Sequence, residues 1–257
     1  MDPTVRPDPV LQVRHLDKTF HVHAIGRSVT SLRDVSFDVG RGEHLALAGA
    51  SGAGKSSLLR CLVRTYLPDA GTVTLLSQGE RIELTALPDR EMARLRGRRF
   101  GYVSQFLQAP PRTGPLDLVA RAARRRGLAD DEARDAAAHA LQRLRIDEVL
   151  WDMDCAVLSG GERQRVNLAA GTVSPPDLLL LDEPVSALDP ANREHALELI
   201  EDLRHQDVSV LAVYHDMRII RRLAGRVLVL QGGRVIGDAS PEEIAGRHID
   251  ALQEVGA

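Results

Sequence analysis

The chain has 257 residues, of which 44% are hydrophobic and 27% charged, and its formal net charge is −3 at pH 7. This length can bury a sizeable core, and no apolar run approaches the roughly 18 to 20 residues that a membrane-spanning helix needs. The small net charge excludes a chain that binds nucleic acid or membranes by charge alone. Cys61 and Cys155 fit neither a disulfide framework nor a metal site, which predicts buried thiols in a cytoplasmic protein.

The N-terminal third predicts a tail followed by strands. The first nine residues are rich in proline and charge and lack the apolar segment of a signal peptide, so we expect a disordered tail over residues 1–9. The stretches "VLQVRHL", "LRDVSFDV", "TVTLL" and "RIELT" then alternate apolar and polar residues. This alternation is typical of strands in an antiparallel subdomain.

A phosphate-binding loop is predicted within "LALAGASGAGKSSLLR". The apolar residues 45–48 predict a buried strand, three glycines supply a permissive loop, and Lys55 begins a helical pattern. Lys18 and Lys55 are the only lysines in an arginine-rich chain, and a lysine offers the compact point charge that a phosphate cradle uses. We expect Lys55 to reach the β- and γ-phosphates of a nucleotide and the Ser56 hydroxyl to ligate Mg²⁺. A chance match to the loop pattern is the alternative.

The stretch "SQFLQAPPR", residues 104–112, interrupts the predicted core. Gln105 ends what reads as a buried strand, two apolar residues follow, and Pro110 and Pro111 can continue neither a strand nor a helix interior. Helical spacing of Ala133, Ala137 and Leu141 then predicts a small helical lobe.

A second anion site is predicted at "LSGGERQRVNLAAG". Ser159, Gly160 and Gly161 open a helix, so a hydroxyl and unpaired backbone N–H groups meet a positive helix end. One chain does not need two cradles for one triphosphate. In a head-to-tail, two-fold pair of subunits, each such site can face the partner's phosphate loop.

Two strand ends supply candidate catalytic groups. In "DLLLLDEPVSALDP", Asp182 and Glu183 follow an apolar strand of parallel type, and His215 follows the apolar strand of "VSVLAVYHDMR". Asp182 can hold Mg²⁺, and Glu183 can act as general base on a water. His215 can contact the γ-phosphate or hold Glu183. The alternatives are a strand-ending acid pair before a turn and a structural histidine.

Taken together, the motifs resemble those of the ABC-type (ATP-binding cassette) ATPases, in the family's order and over nearly the whole chain. The resemblance implies an α/β fold: a P-loop NTPase core of ABC type with a mixed, mainly parallel sheet, an N-terminal antiparallel β subdomain and an inserted helical lobe at about 106–172. It implies one ATPase domain over residues 10–250 that binds ATP and Mg²⁺ and hydrolyses ATP in a head-to-tail dimer.

The resemblance also implies the roles of individual residues. Phe20 matches the aromatic residue that stacks on adenine, Gln105 the glutamine that touches Mg²⁺ or the attacking water, and Asp189 the D-loop aspartate. The implied catalytic residues are Glu183, His215, Lys55 and Gln105. The implied metal ligands are Ser56, Gln105 and Asp182. The implied nucleotide contacts are Phe20, Gly49, Ala50, Ser51, Gly52, Ala53, Gly54, Lys55, Ser56, Ser57, Ser159, Gly160, Gly161, Glu162 and Asp189.

Three further sequence tracts bear on the identity of the partner. The tracts "YLPDAG", "VSQFL" followed by "PR", and "LQRLRIDEVLW" resemble the ABC proteins of the carbon–phosphorus lyase system, which implies a subunit that assists phosphonate breakdown. The partners would be lyase subunits, with a paralogous ABC subunit or a second copy of this chain in the dimer. The alternatives are the ATP-binding subunit of a transporter of lipoprotein-release or efflux type, a nucleic-acid machine, and a nucleotide-binding module without turnover.

Overall fold

The computed structural model describes residues 8–22 and 26–247. The strands are β1 (Pro9–Val22), β2 (Arg27–Gly40), β3 (His44–Ala48), β4 (Ala70–Ser77), β5 (Glu80–Glu83), β6 (Phe100–Val103), β7 (Leu178–Asp182), β8 (Ser209–Val213), β9 (Arg226–Gln231) and β10 (Arg234–Ala239). The helices are α1 (Lys55–Leu62), α2 (Asp89–Leu95), α3 (Pro115–Arg125), α4 (Asp130–Arg143), α5 (Gly160–Thr172), α6 (Pro190–Asp202), α7 (Met217–Leu223) and α8 (Pro241–Arg247). The described residues form two compact units, one within 1–93 and 209–257 and the other within 94–208.

The first unit holds two sheets. Strands β2, β1, β4 and β5, in that order, form an antiparallel sheet, as the alternating sequence predicts. Strands β10, β9, β3 and β8 form a mixed arrangement in which β3 is parallel to both β8 and β9, and β10 is antiparallel to β9. All five residues of β3 and of β8 are buried, which explains why their sequences are apolar except for the first residues, His44 and Ser209.

The second unit combines a parallel strand pair with helices. Strands β6 and β7 pair in parallel, and every residue of β7 is buried. Helices α3, α4 and α5 pack on one another. Their contacts bury Ala133, Ala137 and Leu141, the residues whose spacing predicts the helical lobe. Helix α5 also packs on β6, where a Cβ at Gly171 would lie 2.2 Å from Cγ2 of Val103.

The strands and helices bear on what the sequence predicts about the fold class, the cysteines and the N-terminal tail. The α/β fold with an antiparallel sheet, a mixed sheet and helices is confirmed. Cys61 and Cys155 are both buried and unbridged, as expected. Residues 1–7 of the expected tail lie outside the described residues, while Pro9 already begins β1. No helix in the part of the chain that the structure describes is long and apolar enough to cross a membrane.

Candidate functional site

The predicted phosphate loop connects β3 to α1 in the first unit. Its glycines have positive φ, with values of 136° at Gly49, 77° at Gly52 and 106° at Gly54, a region that other residues rarely adopt. A Cβ at Gly49 would lie 2.1 Å from the carbonyl oxygen of Leu230, and one at Gly54 would lie 2.4 Å from that of Ser31. A Cβ at Gly52 would meet nothing within 4 Å. The loop therefore requires two glycines for packing and a third for its backbone conformation alone.

Lys55 occupies the inside of this loop. Its side chain is buried, and its ammonium group donates to the carbonyl oxygens of Gly49 at 2.6 Å and Ala50 at 2.8 Å. Ser56, the next residue in the first turn of α1, is half-buried. A buried cation at the N-terminus of a helix, encircled by glycine-rich backbone, fits the binding of a polyphosphate.

An aromatic contact fixes the ring of Phe20. Phe20 in β1 meets Tyr66 edge to face, with 5.0 Å between the ring centroids and 74° between the planes. The Lys18 ammonium lies 5.3 Å from the Phe20 ring centroid, and the Tyr66 hydroxyl accepts a hydrogen bond from Arg60 at 2.9 Å. The sequence predicts Phe20 but not the residues that orient its ring, because Tyr66 lies 46 positions further along the chain.

His215 and the phosphate loop leave neighbouring strands at the same edge. Strand β8 is parallel to β3, and Val213 is the register partner of Leu47. Gly49 and His215 each lie two residues beyond that pair, at the carboxyl ends of their strands. His215 is exposed, whereas the preceding Tyr214 is buried. This position fits the predicted role of His215 near the γ-phosphate better than a role in the core.

The second unit brings three predicted residues together at the end of β7. Asp182 is the last residue of β7 and is buried, and the hydroxyl of Tyr102 on β6 donates to its carboxylate at 3.1 Å. Glu183 follows with a φ of 53°, an uncommon value for a residue other than glycine. The side-chain amide of Gln105 donates to the Glu183 carboxylate at 3.2 Å. Tyr102 belongs to no sequence motif that predicts this contact.

The predicted second anion site is the N-terminus of α5. The Ser159 hydroxyl accepts from the backbone N–H of Glu162 at 3.3 Å, and the Ser159 N–H donates to the Glu162 carboxylate at 2.8 Å, which together form a capping box. Hydrogen bonding to the Ser159 side chain and backbone lowers the pKa of Glu162, so this carboxylate is ionised at neutral pH. Ser159 and Gly160 are exposed, and a Cβ at Gly160 would meet nothing within 4 Å. The start of α5 is therefore exposed, with the Glu162 carboxylate already accepting the Ser159 N–H.

Asp189 caps the next helix. One carboxylate oxygen accepts from the backbone N–H groups of Ala191 and Asn192, both at 3.1 Å, and the other accepts from the Asn192 side-chain amide at 2.6 Å. The hydrogen bond from Asn192 is the main cause of the lowered pKa of Asp189. These contacts give Asp189 a structural role as the N-cap of α6, so its predicted contact with nucleotide stays a prediction.

The donor set suits Mg²⁺ rather than a softer metal. Ser56 in the first unit offers a hydroxyl oxygen, and Gln105 and Asp182 in the second unit offer amide and carboxylate oxygens. Each is a hard ligand of the kind that Mg²⁺ takes together with water and phosphate oxygens. Over residues 8–22 and 26–247, no group of three or more His, Cys, Asp or Glu side chains could hold a metal ion by itself.

Comparison with known proteins points to one family. The family model described as "ABC transporter" matches residues 32–186. The phosphonates import ATP-binding protein PhnC of Treponema denticola is 30% identical over 244 residues, 91% of each chain. The arginine transport ATP-binding protein ArtP of Escherichia coli is 35% identical over 213 residues, 82% of this chain and 87% of the relative. A putative peptide import ATP-binding protein of Brucella ovis is 32% identical over 243 residues, 93% of this chain and 74% of the relative.

Solved structures agree with these relatives. The dimeric post-hydrolysis state of the ATP-binding cassette MJ0796, bound to ADP and Pi, superposes with a TM-score of 0.80 at 26% identity. A second dimeric structure of MJ0796, described as a bacterial ABC transporter cassette, gives 0.81 at 26% identity. Each comparison covers 90% of this chain and 98% of the other.

Proposed function

Because this chain belongs to the ABC transporter family of ATP-binding proteins and is an ATPase that uses Mg²⁺, we propose that it supplies ATP-driven motion to the carbon–phosphorus lyase system, as a protein of the PhnL branch. The observation that carries the ATPase chemistry is the hydrogen bond from the Gln105 amide to the Glu183 carboxylate at 3.2 Å, which supports a proposed metal-sensing amide acting beside a proposed base. When bound, Mg²⁺ neutralises charge on the phosphates. Lys55 holds those phosphates, and Glu183 accepts a proton from the attacking water.

Two copies of the ATPase site are proposed to form between two subunits. Lys55 lies in the loop that would hold the phosphates, and Ser159 opens a separate helix end that would face the partner's nucleotide. The MJ0796 cassettes, which are similar in structure to this chain, are dimers. A head-to-tail pair, with a second copy or a paralogue, satisfies both anion sites with two ATP molecules.

An apolar surface on the second unit supports a protein partner. Phe106 is 71% exposed, and Val149 and Val157 are each 68% exposed. The loop after Phe106 is joined to the segment that carries the valines, because Arg112 donates to Asp154 at 2.9 Å and Cys155 donates to the Thr113 carbonyl at 3.0 Å. Large exposed apolar side chains on two hydrogen-bonded segments support an interaction site on this unit.

The choice of the lyase over a transporter depends on the sequence tracts "YLPDAG", "VSQFL" and "LQRLRIDEVLW". The second candidate is the ATP-binding subunit of a transporter. It is favoured by the names of the phosphonate, arginine and peptide importers among the relatives. Both candidates use the same ATPase site and differ in the partner that meets the surface around Phe106.

The experiment that separates them is a tagged pull-down from the native host, starved of phosphate and fed a phosphonate, with soluble and membrane fractions analysed by mass spectrometry. Soluble lyase subunits captured only under starvation are the expected result. Capture of an integral membrane permease instead would establish the transporter reading.

A variant with Phe106→Ser and Leu107→Ser tests the proposed surface in the same pull-down. We expect it to lose the partner while basal ATPase activity is unchanged, because Phe106 is 71% exposed and neither side chain is among the proposed catalytic or nucleotide-binding residues. Ile236→Ser, an exposed apolar residue of β10 that is 39% exposed, is the matched control. Undiminished capture by the double variant would remove the surface from the proposal.

A further inference from the structure

Helix α5 carries two amide side chains that hold the backbone of two other segments. Gln164 and Asn167 are three residues apart, so they lie on the same side of the helix. The Gln164 amide donates to the carbonyl oxygen of Glu183 at 2.6 Å and accepts from the backbone N–H of Ala187 at 2.8 Å. The Asn167 amide donates to the carbonyl oxygen of Ser104 at 2.6 Å. Neither residue is predicted to have this role by a sequence motif.

These contacts flank the hydrogen bond between Gln105 and Glu183. Ser104 directly precedes Gln105, so Asn167 fixes the backbone at the start of the loop that carries this glutamine. Gln164 holds Glu183 itself by its carbonyl oxygen. One face of α5 therefore anchors both partners of the predicted catalytic contact.

Gln164 also closes the turn after the base. Its two hydrogen bonds span Glu183 to Ala187, and the Ser186 hydroxyl donates to the same Glu183 carbonyl at 3.1 Å. Gln164 is only 3% exposed, so both ends of its amide are buried and used. These bonds hold Glu183 at its positive φ of 53°, a conformation that a glutamate does not favour without such support.

The helix itself is fixed against its neighbours. Arg165, the residue after Gln164, is buried and donates to the carbonyl oxygens of Leu144 at 2.9 Å and Arg145 at 2.7 Å, and to Asn192 at 3.0 Å. These contacts tie α5 to the end of α4 and the start of α6. A displacement of α5 would therefore carry Gln164 and Asn167 with it.

We propose that Gln164 and Asn167 are positioning residues that set the geometry of the Gln105–Glu183 contact. This rests on the proposed role of Glu183 as base. Neither residue touches the reacting atoms, and each acts through the backbone of another segment.

Asn167→Ala is the primary test, because Asn167 is half-buried and alanine favours a helix, so the fold is retained. Asn167→Asp is the isosteric variant, which cannot donate to the Ser104 carbonyl. The matched control is Gln142→Ala on α4. It removes an exposed side-chain amide that donates to the Glu148 carboxylate at 3.1 Å. The measurements are steady-state kcat, the Kd of ATP, and hydrogen exchange of the backbone amides at residues 103–107.

We expect both Asn167 variants to lose kcat by about 10-fold, since small misplacement of a catalytic group is costly, while the Kd of ATP changes less than about twofold. Hydrogen exchange at residues 103–107 should rise in these variants and not in Gln142→Ala. Unchanged kcat and unchanged exchange, or equal effects in Gln142→Ala, would overturn the proposal.

A double-mutant cycle with Gln105→Ala tests whether Asn167 acts through Gln105. The loss of kcat from Asn167→Ala should fall below about twofold in the Gln105→Ala background, because coupled residues are not additive. An equal loss in both backgrounds would contradict the proposed route. Failure of the base assignment is separately visible as normal turnover in Glu183→Gln, whereas the exchange measurement reports on positioning alone.

Discussion

Glu183 is held at both ends, by Gln105 at its carboxylate and by Gln164 at its carbonyl oxygen. Lys55 has a comparable arrangement in the other unit, where two carbonyl oxygens hold its ammonium inside the glycine loop. In both cases a charged side chain is given one orientation before any substrate arrives. Such preorganisation is what electrostatic catalysis and positioning require.

Glu183→Gln should retain ATP binding and abolish turnover. Glutamine can accept the hydrogen bond from Gln105 through its carbonyl oxygen, but it cannot take a proton from water. We expect a loss of kcat of at least about 10²- to 10³-fold and accumulation of an ATP-bound dimer. Steady-state ATPase assays and light scattering after gel filtration check this. Turnover at the wild-type rate would show that another group is the base.

At the scale of elements, the glycines of the phosphate loop are not equivalent. Gly54 ends the loop against the backbone of Ser31, whereas Gly52 faces open space. Of these two glycines, only Gly54 is constrained by packing within the unit. The openness at Gly52 leaves room for a ligand to approach the backbone closely.

Gly54→Ala and Gly52→Ala should therefore differ in stability. Both pay about 1 to 2 kcal/mol for a Cβ at positive φ, but only Gly54→Ala also places that Cβ 2.4 Å from a carbonyl oxygen. We expect Gly54→Ala to lower the free energy of unfolding by clearly more than Gly52→Ala, measured by urea denaturation. Gly52→Ala should instead weaken ATP binding. Equal stability losses would contradict the packing argument.

The capping box at Ser159 has a matched counterpart at the start of α8. There the Ser240 hydroxyl accepts from the Glu243 N–H, and the Ser240 N–H donates to the Glu243 carboxylate, both at 3.3 Å. Ser159→Ala and Ser240→Ala should each cost about 1 kcal/mol of stability. Only Ser159→Ala should also lower ATPase turnover, because only that helix end is proposed to face a nucleotide. A loss of turnover in both variants would indicate a general structural effect.

The lowered pKa of Glu162 gives the cap at Ser159 a pH dependence. A carboxyl whose pKa is lower in the folded state contributes stability above its ordinary pKa of 4.5, and this contribution is lost as the pH falls through the folded-state value. The difference in unfolding free energy between the protein and Glu162→Gln should therefore shrink from pH 7 towards pH 3. Denaturation curves at several pH values measure it.

At the scale of the whole molecule, ATP with Mg²⁺ should stabilise the fold. A ligand at about 100 times its Kd adds about 2.7 kcal/mol, which for a chain of this size raises Tm by roughly 5 to 10 °C. The Glu183→Gln variant keeps ATP intact during the measurement. We expect the shift in this variant to shrink when EDTA removes the metal and to vanish when Lys55→Ala is added. A shift that persists without Lys55 would indicate another binding site.

The amino-acid sequence by itself determined the family, the ATPase chemistry and the α/β fold, because phosphate loops, strand-end carboxylates and helix-opening glycines are local patterns with fixed spacing. The buried runs of β3 and β7 and the helical spacing of α4 are likewise local. The strand ends that carry Gln105 and Glu183 could be recognised in this way.

Only the tertiary structure decided which side chains support these groups. Tyr102, Gln164 and Asn167 contact Asp182, Glu183 and Ser104 across separations of 80, 19 and 63 residues. No local pattern marks them, since an amide or a hydroxyl can serve many backbone partners and the choice depends on which strand or helix packs beside it. The tightness at Gly49 and Gly54 was hidden for the same reason, because it comes from carbonyl groups of Leu230 and Ser31 that reach the loop only after folding.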